Sequence, residues 1–273
     1  MIDHTGIVKG VAGLSAGAGR LAIAIGVFDG LHRGHRHLLR RLERQASAWG
    51  ARPAVITFDH HPDEVIRGTA PPLLLDPEER TWRLGREGIE VVVVEHFDER
   101  LRSTPYDAFV RSIAERVDLA GFVMTPDAAF GFERRGTPAS VADLGRSAGL
   151  HYEVAVVQPL IVDGRPVSSS AIRSAIADGD LVAARRLLGR SHAVVGELEH
   201  EAIRFAMPVA LPPAGGYDAS VGPFPADGAG STVRRRVTVD HDSVLVDQPP
   251  DPAAGGGSRI RVAFAAPGAL KVV

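Results

Sequence analysis

Residues 26–35 read Gly-Val-Phe-Asp-Gly-Leu-His-Arg-Gly-His, and this stretch decides the fold that the sequence predicts. The apolar run at 21–25 predicts a buried strand before it, and the apolar spacing of residues 36–49 predicts a helix after it, with Gly50 as its stop. Glycines between a strand and a helix start let a ligand approach the backbone closely. The free N–H groups and the positive end of the helix dipole favour a phosphate there. Because His32 and His35 are expected on one side of the first turn, the stretch predicts a polyphosphate site.

The histidine pair also has two simpler explanations. His-x-x-His could belong to a metal site, but no third ligand is obvious nearby in the sequence, so no metal-binding residue is predicted. Either side chain could also be an ordinary solvated residue. The preceding strand, the three glycines and Asp29 favour the phosphate site. The glycine spacing differs from the dinucleotide-binding fingerprint, and no Gly-Lys-Ser/Thr follows as it would in a Walker loop.

Length and composition indicate a globular protein. The 273 residues are enough for one large domain or two modest ones, and a hydrophobic content of 45% predicts a sizeable core. The net charge of -2 gives no reason to expect a nucleic-acid or membrane-surface partner. The absence of cysteine excludes disulfides and thiolate chemistry. No signal-peptide core and no apolar run of about 20 residues occurs, so a cytoplasmic protein is expected.

Strands and helices alternate between residues 20 and 190. Further strands are expected at 53–58, 89–94, 121–124 and 152–157, and helices at 76–86, 104–117, 137–149, from 167 and at 180–188, whereas residues 1–18 carry no clear pattern. The alternation predicts an α/β domain, a Rossmann-like parallel five-stranded sheet with helices on both faces. Ligands of such sheets bind beyond the carboxyl ends of the strands, where the polar loops of this sequence fall.

The pattern changes after residue 190. Short β-like runs occur at 193–198, 235–239, 244–246 and 260–264, between Pro/Gly-rich stretches at 211–216 and 249–257. They predict a small all-β, barrel-like domain, in which residues 249–258 form a long hairpin tip or a disordered segment. The predicted domains are therefore 1–190 and 191–273.

A second polar cluster consists of Ser168, Ser169 and Ser170, followed by Arg173. Hydroxyl groups and an arginine at a helix start can bind a second phosphate group and offset the charge on a leaving pyrophosphate. Taken alone, an N-cap serine and a surface arginine would explain the cluster. Its occurrence together with the first motif, in one α/β domain, favours phosphate binding.

These motifs carry a family resemblance. Gly26-x-Phe28-Asp29-Gly30-x-His32-x-Gly34-His35 and Ser168-Ser169-Ser170-x-x-Arg173 together resemble the HxGH nucleotidyltransferase superfamily. Four more stretches resemble its bacterial FAD synthetase branch, the bifunctional riboflavin kinase/FMN adenylyltransferases: Thr57-Phe58-x-x-His61-Pro62, residues 97–109, Asp127-x-x-Phe130-Gly131 and residues 179–190. The resemblance covers about residues 20 to 200.

The resemblance implies a reaction in which the FMN phosphate attacks the α-phosphorus of ATP, giving FAD and pyrophosphate, with Mg²⁺ bridging phosphates. It also implies the catalytic residues: His32 and His35 on the ATP phosphates, and Ser169, Ser170 and Arg173 on their β,γ side. ATP and FMN are thus the expected small-molecule partners, of a monomer or weak homo-oligomer.

The resemblance further implies a set of substrate-binding residues. Phe58 and Phe130 would stack on the isoalloxazine ring, and Asp127 would lie near the flavin. The other expected substrate-binding residues are Gly26, Phe28, Asp29, Gly30, Gly34, His61 and Ser168.

The sequence also departs from the family pattern. Ser170 replaces a threonine and keeps its hydroxyl. Ala128 and Ala129 replace an aromatic and a polar or basic residue, and His60 replaces a proline, so a modified flavin or another phosphorylated acceptor stays open. Residues 204–209 read Arg-Phe-Ala-Met-Pro-Val where the kinase module carries Gly-Phe-Pro-Thr-Ala-Asn, so loss of riboflavin kinase activity is expected. A non-catalytic nucleotide- or flavin-binding regulator is a third hypothesis.

Overall fold

The computed structural model describes residues 6–224, 232–247 and 259–266. The segment at 249–258, expected as a hairpin tip or a disordered stretch, lies outside these residues. The described chain divides into two units by its internal contacts: residues 6–28, 34–71 and 81–166 in the first, and residues 29–33, 72–80 and those from 167 onward in the second. The predicted division at residue 190 stays a prediction. Every helix in the described part is too short or too polar to cross a membrane.

The first unit is built on a parallel sheet. Its strands within the described residues are β1 Gly6–Lys9, β2 Arg20–Ile25, β3 Arg52–Phe58, β4 Val91–Glu95, β5 Asp118–Met124 and β6 Glu153–Val156, in the order β1-β4-β3-β2-β5-β6. Each neighbouring pair runs parallel, which confirms the predicted sheet type. The predicted count of five strands was wrong, because β1 lies at the edge beside β4. Its four residues are too few for an apolar pattern to be recognised.

The centre of this sheet is buried on both faces. Leu21, Ala22, Ile23 and Ala24 of β2 are each at most 1% exposed. Such a continuous apolar run is typical of a parallel strand that is covered by helices on both sides. The chain moves from β2 in one direction to β3 and β4 and later in the other direction to β5 and β6. The carboxyl end of β2 therefore lies at the switch point of the sheet, where ligands of this fold class bind.

Helices occur in each of the predicted regions. They are α1 Arg33–Ala48, α2 Pro62–Arg67, α3 Pro77–Arg86, α4 Glu99–Arg102, α5 Tyr106–Ala114, α6 Pro138–Ser147, α7 Ser169–Ala177 and α8 Leu181–Leu188. Thr137 and Ser140 form a capping box at the start of α6, and Asp180 accepts a hydrogen bond from Ala183 N at the start of α8. The short helices α2 and α4 were missed. A small hairpin, β7 Ile161–Val162 and β8 Arg165–Pro166, ends the first unit.

The second unit contains a closed antiparallel barrel. Its strands in the described part of the chain are β9 Ala193–Glu199, β10 Ala202–Arg204, β11 Gly215–Pro223, β12 Val233–Asp240, β13 Ser243–Val246 and β14 Arg259–Phe264, in the order β10-β13-β12-β11-β14-β9, with β9 pairing back to β10. The barrel-like prediction is confirmed. Strands β10 and β11 were missed, since β11 begins at Gly215-Gly216, within a stretch expected to be a loop. Val237, Val244, Val262 and Phe264 are each at most 1% exposed, so side chains fill the barrel interior.

Candidate active site

The turn between β2 and α1 has an unusual backbone. Phe28, Gly30 and Leu31 have φ angles of 51°, 80° and 38°, a region that residues with a side chain seldom occupy. Phe28, Asp29, Gly30, Leu31 and His32 are all buried. A buried turn keeps such a conformation only if its surroundings fix it, and conformations of this kind cluster at functional sites.

Asp29 fixes its part of the turn within the second unit. Its carboxylate is 2% exposed and accepts hydrogen bonds from Leu74 N at 3.0 Å and Leu75 N at 3.1 Å through Oδ1. Its Oδ2 accepts from Arg173 Nη2 at 2.5 Å. Arg173 Nε also donates to Pro72 O at 2.7 Å, so both groups of the pair have further partners. A buried charge is tolerated when it is paired and hydrogen-bonded in this way. The Asp29 carboxylate thus orients Arg173.

The three serines of α7 occupy different places. Ser169 Oγ donates to the backbone carbonyl of Asp29 at 3.0 Å. Ser168 is the N-cap and accepts from Ala171 N at 3.3 Å. Ser170 is exposed in the first turn of the helix. The two predicted phosphate motifs, far apart in sequence, therefore meet: Ser169 and Arg173 are both bonded to Asp29.

His32 lies in the same group of residues. Its side chain is buried, and burial is the main cause that lowers its pKa to about 4, with the nearby guanidinium groups of Arg190 and Arg173 lowering it further. Arg190 donates to the carbonyls of Gly30 at 2.7 Å and Leu31 at 3.4 Å. The imidazole is neutral at pH 7 and lies near two permanent cations. A hydrogen-bond donor with two guanidinium groups is an arrangement that suits a phosphate.

Sequence reasoning gave no site role to Arg190. It lies within residues 179–190, where it follows Leu187-Leu188-Gly189, but that pattern carries no chemistry by itself. The pattern that could have indicated a role for Arg190 is an arginine directly after the glycine that ends a helix. That glycine is Gly189, with a φ of 75°. In the structure, Arg190 donates hydrogen bonds to the carbonyls of Gly30 and Leu31 in the turn.

The predicted site residues of the first unit form smaller groups. His35 lies in the first turn of α1, with its ring edge-to-face against Phe28 at a centroid distance of 5.3 Å. Gly34 is the second residue of that helix. Gly26 lies beneath the same phenylalanine, since a Cβ atom added there would be 3.2 Å from the Phe28 ring. Phe28 therefore packs against both Gly26 and the His35 ring.

The predicted flavin residues have separate neighbours in the first unit. Phe58 packs edge-to-face on Phe97 at 5.4 Å. Phe130 packs on the core rings Phe109 and Phe122, at 6.0 and 6.2 Å. Both Phe58 and Phe130 are half-buried.

The two polar members of the predicted flavin set differ from each other. Asp127 is exposed beyond β5. His61 is the N-cap of α2, where its Nδ1 accepts a hydrogen bond from Asp63 N at 3.2 Å. His61 thus has a structural function that the sequence analysis did not assign to it.

Replacing Gly30 by alanine should destabilise the second unit. Its φ of 80° strains an alanine, and the added Cβ atom would lie 2.9 Å from Leu74 Cδ1. Gly164 is a matched control, because its φ is 76° but an added Cβ meets no heavy atom of the described chain within 4 Å. Urea unfolding should give a loss of about 1–3 kcal/mol for Gly30→Ala beyond that for Gly164→Ala. Equal losses of unfolding free energy in the two variants would show that Leu74 moves aside without any cost in stability.

Stability should fall between pH 6.5 and 4. Burial lowers the pKa of His32 and of His192 from 6.5 to about 4. Below pH 6.5 the unfolded chain takes up protons at these positions that the folded chain does not, so the free energy of unfolding decreases, by up to about 3 kcal/mol per histidine. Above pH 6.5 this contribution is fully present. Urea unfolding from pH 7 down to about 4.5 measures it.

The variant His192→Gln isolates one of the two contributions. His192 Nε2 donates to Ala210 O at 2.7 Å, and a glutamine amide can replace that donor without titrating. We expect His192→Gln to remove about half of the histidine-dependent loss, and His241→Gln, at an exposed turn position, to leave it unchanged. An unchanged pH dependence in His192→Gln would contradict the assignment.

Comparison with known proteins agrees with this architecture. The FAD synthetase family matches residues 15–171. The bifunctional riboflavin kinase/FMN adenylyltransferase of Pseudomonas fluorescens is 32% identical over 71% of this chain and 62% of its own length. That of Haemophilus influenzae is 30% identical over 66% of this chain and 58% of its own length. A crystal structure described as a macrolide-efflux protein from Streptococcus pneumoniae has the same fold, with a TM-score of 0.75 and 23% identity over 95% of this chain and 97% of that chain.

A parallel sheet whose switch-point turn carries His-x-Gly-His defines the class as HxGH nucleotidyltransferase-like. The chain belongs to the FAD synthetase family, because the family match covers more than half of its length. This confirms the resemblance inferred from the motifs. The matched part spans only about 60% of the length of these curated relatives.

Proposed function

We propose that this protein is an FMN adenylyltransferase, which transfers AMP from ATP to FMN and releases FAD and pyrophosphate. The observation that carries the proposal is the junction of the two phosphate motifs in the second unit. Asp29 is bonded to both Ser169 and Arg173, and Arg173 is near enough to His32 to lower its pKa. Membership of the FAD synthetase family supports the same reaction.

The chemistry needs alignment and charge neutralisation more than a reactive side chain. An oxygen of the FMN phosphate attacks the α-phosphorus of ATP, while the bond from that phosphorus to the oxygen bridging to the β-phosphate breaks. The bonding electron pair leaves with pyrophosphate. Arg173 offsets the negative charge that develops on the leaving group, and the hydroxyls of Ser169 and Ser170 at the start of α7 bind its oxygens, Ser169 after its O–H turns away from the Asp29 carbonyl. Asp29 orients Arg173 before the substrate arrives, so this guanidinium needs little reorganisation.

His32 contributes as a neutral donor. Its low pKa keeps the imidazole uncharged at pH 7, and an N–H of a neutral imidazole can still bind a phosphate oxygen. A bound triphosphate brings negative charge that counters the two arginines lowering this pKa. The pKa of His32 then rises, and the interaction strengthens as the phosphates bind. The family resemblance implies the same role for His35, in the first turn of α1. Arg190 donates to the carbonyl of Gly30 in the turn.

Mg²⁺ fits this site as an ion that binds together with the phosphates. The oxygens of Asp29 already accept hydrogen bonds from Leu74, Leu75 and Arg173, so this carboxylate is not a ligand to a metal. Mg²⁺ prefers phosphate oxygens and water in such sites, and when bound it supplies further neutralisation of the phosphate charge. The protein side chains bind the substrate around it.

FMN is the acceptor in this proposal. Phe58 at the end of β3 and Phe130 beyond β5 stack on the isoalloxazine ring, and both rings are half-buried. Asp127, which is exposed three residues before Phe130, bonds the flavin edge. The remaining predicted binding residues, Gly26, Phe28, Gly30, Gly34, His61 and Ser168, shape or cap the surrounding turns.

Riboflavin kinase activity is absent in this proposal. The barrel is closed and its interior is filled with apolar side chains in the described residues. Residues 204–209 lack the threonine and asparagine of the kinase module. The barrel then acts as a scaffold of a cytoplasmic enzyme that is a monomer or a weak homo-oligomer.

Product analysis tests the proposal. The wild-type chain is incubated with ATP, Mg²⁺ and FMN, and FAD and pyrophosphate are quantified. We expect the two products in equal amounts, and we expect no FMN when riboflavin replaces FMN. ATP and FMN binding by calorimetry without any product would contradict the enzymatic proposal and favour a regulator.

A second candidate keeps the reaction and changes the acceptor. Ala128 and Ala129 favour it, because they remove an aromatic and a polar group from the loop that follows β5. ATP-dependent pyrophosphate release with a panel of phosphorylated acceptors, including modified flavins, decides between the candidates. FMN as the best acceptor would end this alternative.

A further inference from the structure

A cluster of one carboxylate and two imidazoles lies in the first unit, at the end of its parallel sheet. Asp59 directly follows β3, His60 follows Asp59, and His96 directly follows β4. Strands β3 and β4 are parallel neighbours, and Phe58 pairs with Glu95 at their ends. The three side chains therefore emerge from one stretch of the carboxyl edge of the sheet. They each offer a ligand atom, and these atoms lie within 4.8 Å of one another.

The backbone of the cluster is fixed by the sheet. Asp59 N donates to Glu95 O at 3.0 Å, which extends the β3–β4 pairing by one residue. Asp59 Oδ1 accepts from His60 N at 2.8 Å and from Phe97 N at 3.3 Å. These backbone donors orient the carboxylate. Partners of this kind, which hold a ligand rather than the metal itself, strongly affect metal affinity.

The two imidazoles already face this carboxylate. His96 Nδ1 lies 2.6 Å from Asp59 Oδ2, and His60 Nδ1 lies 3.2 Å from Asp59 Oδ1. The rings are edge-to-face, with centroids 6.0 Å apart. The side chains of His60 and His96 are 46% and 67% exposed, so each can rotate without disturbing the core.

We propose that Asp59, His60 and His96 form a binding site for a divalent transition metal of the Zn²⁺ type. Two imidazoles and one carboxylate suit Zn²⁺, Co²⁺ or Ni²⁺, whereas Mg²⁺ and Ca²⁺ favour oxygen ligands alone. With Zn²⁺ about 2.0–2.2 Å from each donor, tetrahedral ligand atoms lie roughly 3.3 Å apart. His60 Nδ1 is already near this spacing, at 3.2 Å from Asp59 Oδ1, whereas His96 Nδ1, at 2.6 Å from Asp59 Oδ2, has to move outward to bind a metal. Three protein ligands leave the fourth position to water.

An ordinary hydrogen-bonded pair is the competing explanation. An exposed histidine beside an aspartate forms an ion pair without any metal, and such pairs contribute little. That explanation accounts for His96 and Asp59 alone. It does not require His60 on the other oxygen of the same carboxylate, from the adjacent residue. The second imidazole therefore favours a metal site over a simple ion pair between one histidine and Asp59.

Calorimetric titration of the untagged full chain with ZnCl₂ at pH 7.5, after treatment with a chelator, tests the proposal. We expect one site per chain, and we expect CoCl₂ to give visible absorption bands of a site with nitrogen and oxygen ligands. His60→Gln and His96→Gln should each weaken Zn²⁺ binding at least about tenfold, and the double variant should lose it. His151→Gln, at an exposed position outside the cluster, should bind Zn²⁺ as the wild type does.

Thermal unfolding separates loss of binding from loss of the fold. Without metal, the double variant should have the Tm of the wild type, because both histidines are exposed. Zn²⁺ should raise the Tm of the wild type and of His151→Gln but not that of the double variant. No Zn²⁺ binding by the wild type, or equal affinity in the double variant, would overturn the proposal.

Discussion

The double variant His32→Ala, His35→Ala should lose FAD formation, with turnover reduced by at least about a thousandfold. His32 is a buried neutral donor near Arg173 and Arg190, and His35 lies in the first turn of α1. Removing both leaves the phosphates without the donors that bind them as charge develops. FAD formed from FMN and ATP, quantified by chromatography under saturating substrate, measures the effect.

The matched control for the double variant is His241→Ala, which removes an exposed imidazole at the turn between β12 and β13. Its turnover should equal that of the wild type. Urea unfolding of the double variant at pH 7 checks that the chain remains folded. Retained turnover in a folded double variant would refute the roles assigned to the two histidines.

Replacing Asp29 by asparagine should have the largest effect on stability, about 3–5 kcal/mol. The carboxylate is 2% exposed and binds two backbone N–H groups and Arg173. An asparagine keeps the shape but leaves the Arg173 guanidinium without its anion in a mostly buried position. We therefore also expect weaker ATP binding, because Arg173 is no longer oriented. Urea unfolding and ATP calorimetry measure the two effects.

Asp118→Asn is the control for that substitution. Asp118 pairs with Arg20 at 3.5 Å, but its side chain is 63% exposed. Exposed pairs contribute at most about 1 kcal/mol, so the control should lose no more than that. A similar small loss for Asp29→Asn would mean that the carboxylate does not anchor the turn.

The sequence predicted the helix starts at the two motifs because both are local patterns. A strand, a glycine-rich turn and a helix can be recognised within residues 21–49, and Ser168 is a readable N-cap. The bond from Arg173 to Asp29 joins residues that are 144 positions apart, so neither local pattern predicts it.

The partners of Asp29 could not be predicted in the same way. Its carboxylate binds the backbone N–H groups of Leu74 and Leu75, which come from a loop without any recognisable motif. Almost every residue has a backbone N–H group, so the residue types do not reveal which of these groups bind the carboxylate. For this reason Asp29 was predicted to bind substrate, whereas the structure gives its carboxylate three donors of the protein itself. The role of Arg190 was missed for the same reason, since its partners are carbonyl groups.

The missed strands have a different cause. Strand β1 has only four residues, and β10 only three, so neither presents enough alternation to be distinguished from a loop. Strand β11 begins with two glycines, which locally favour a turn. Pairing with neighbouring strands overrides that preference, and such long-range pairing cannot be read from a short window.

Titration of the histidine side chains by NMR tests the central claim, that the residue 29–33 turn and α7 bind a triphosphate. The chain is labelled with ¹⁵N-histidine, and the signals of His32 are assigned with a His32→Gln variant. Without ligand, the pKa of both His32 and His192 is expected at about 4. With a non-hydrolysable ATP analogue and Mg²⁺, the pKa of His32 should rise while that of His192 stays the same. Unchanged His32 signals at saturating analogue would contradict the claim.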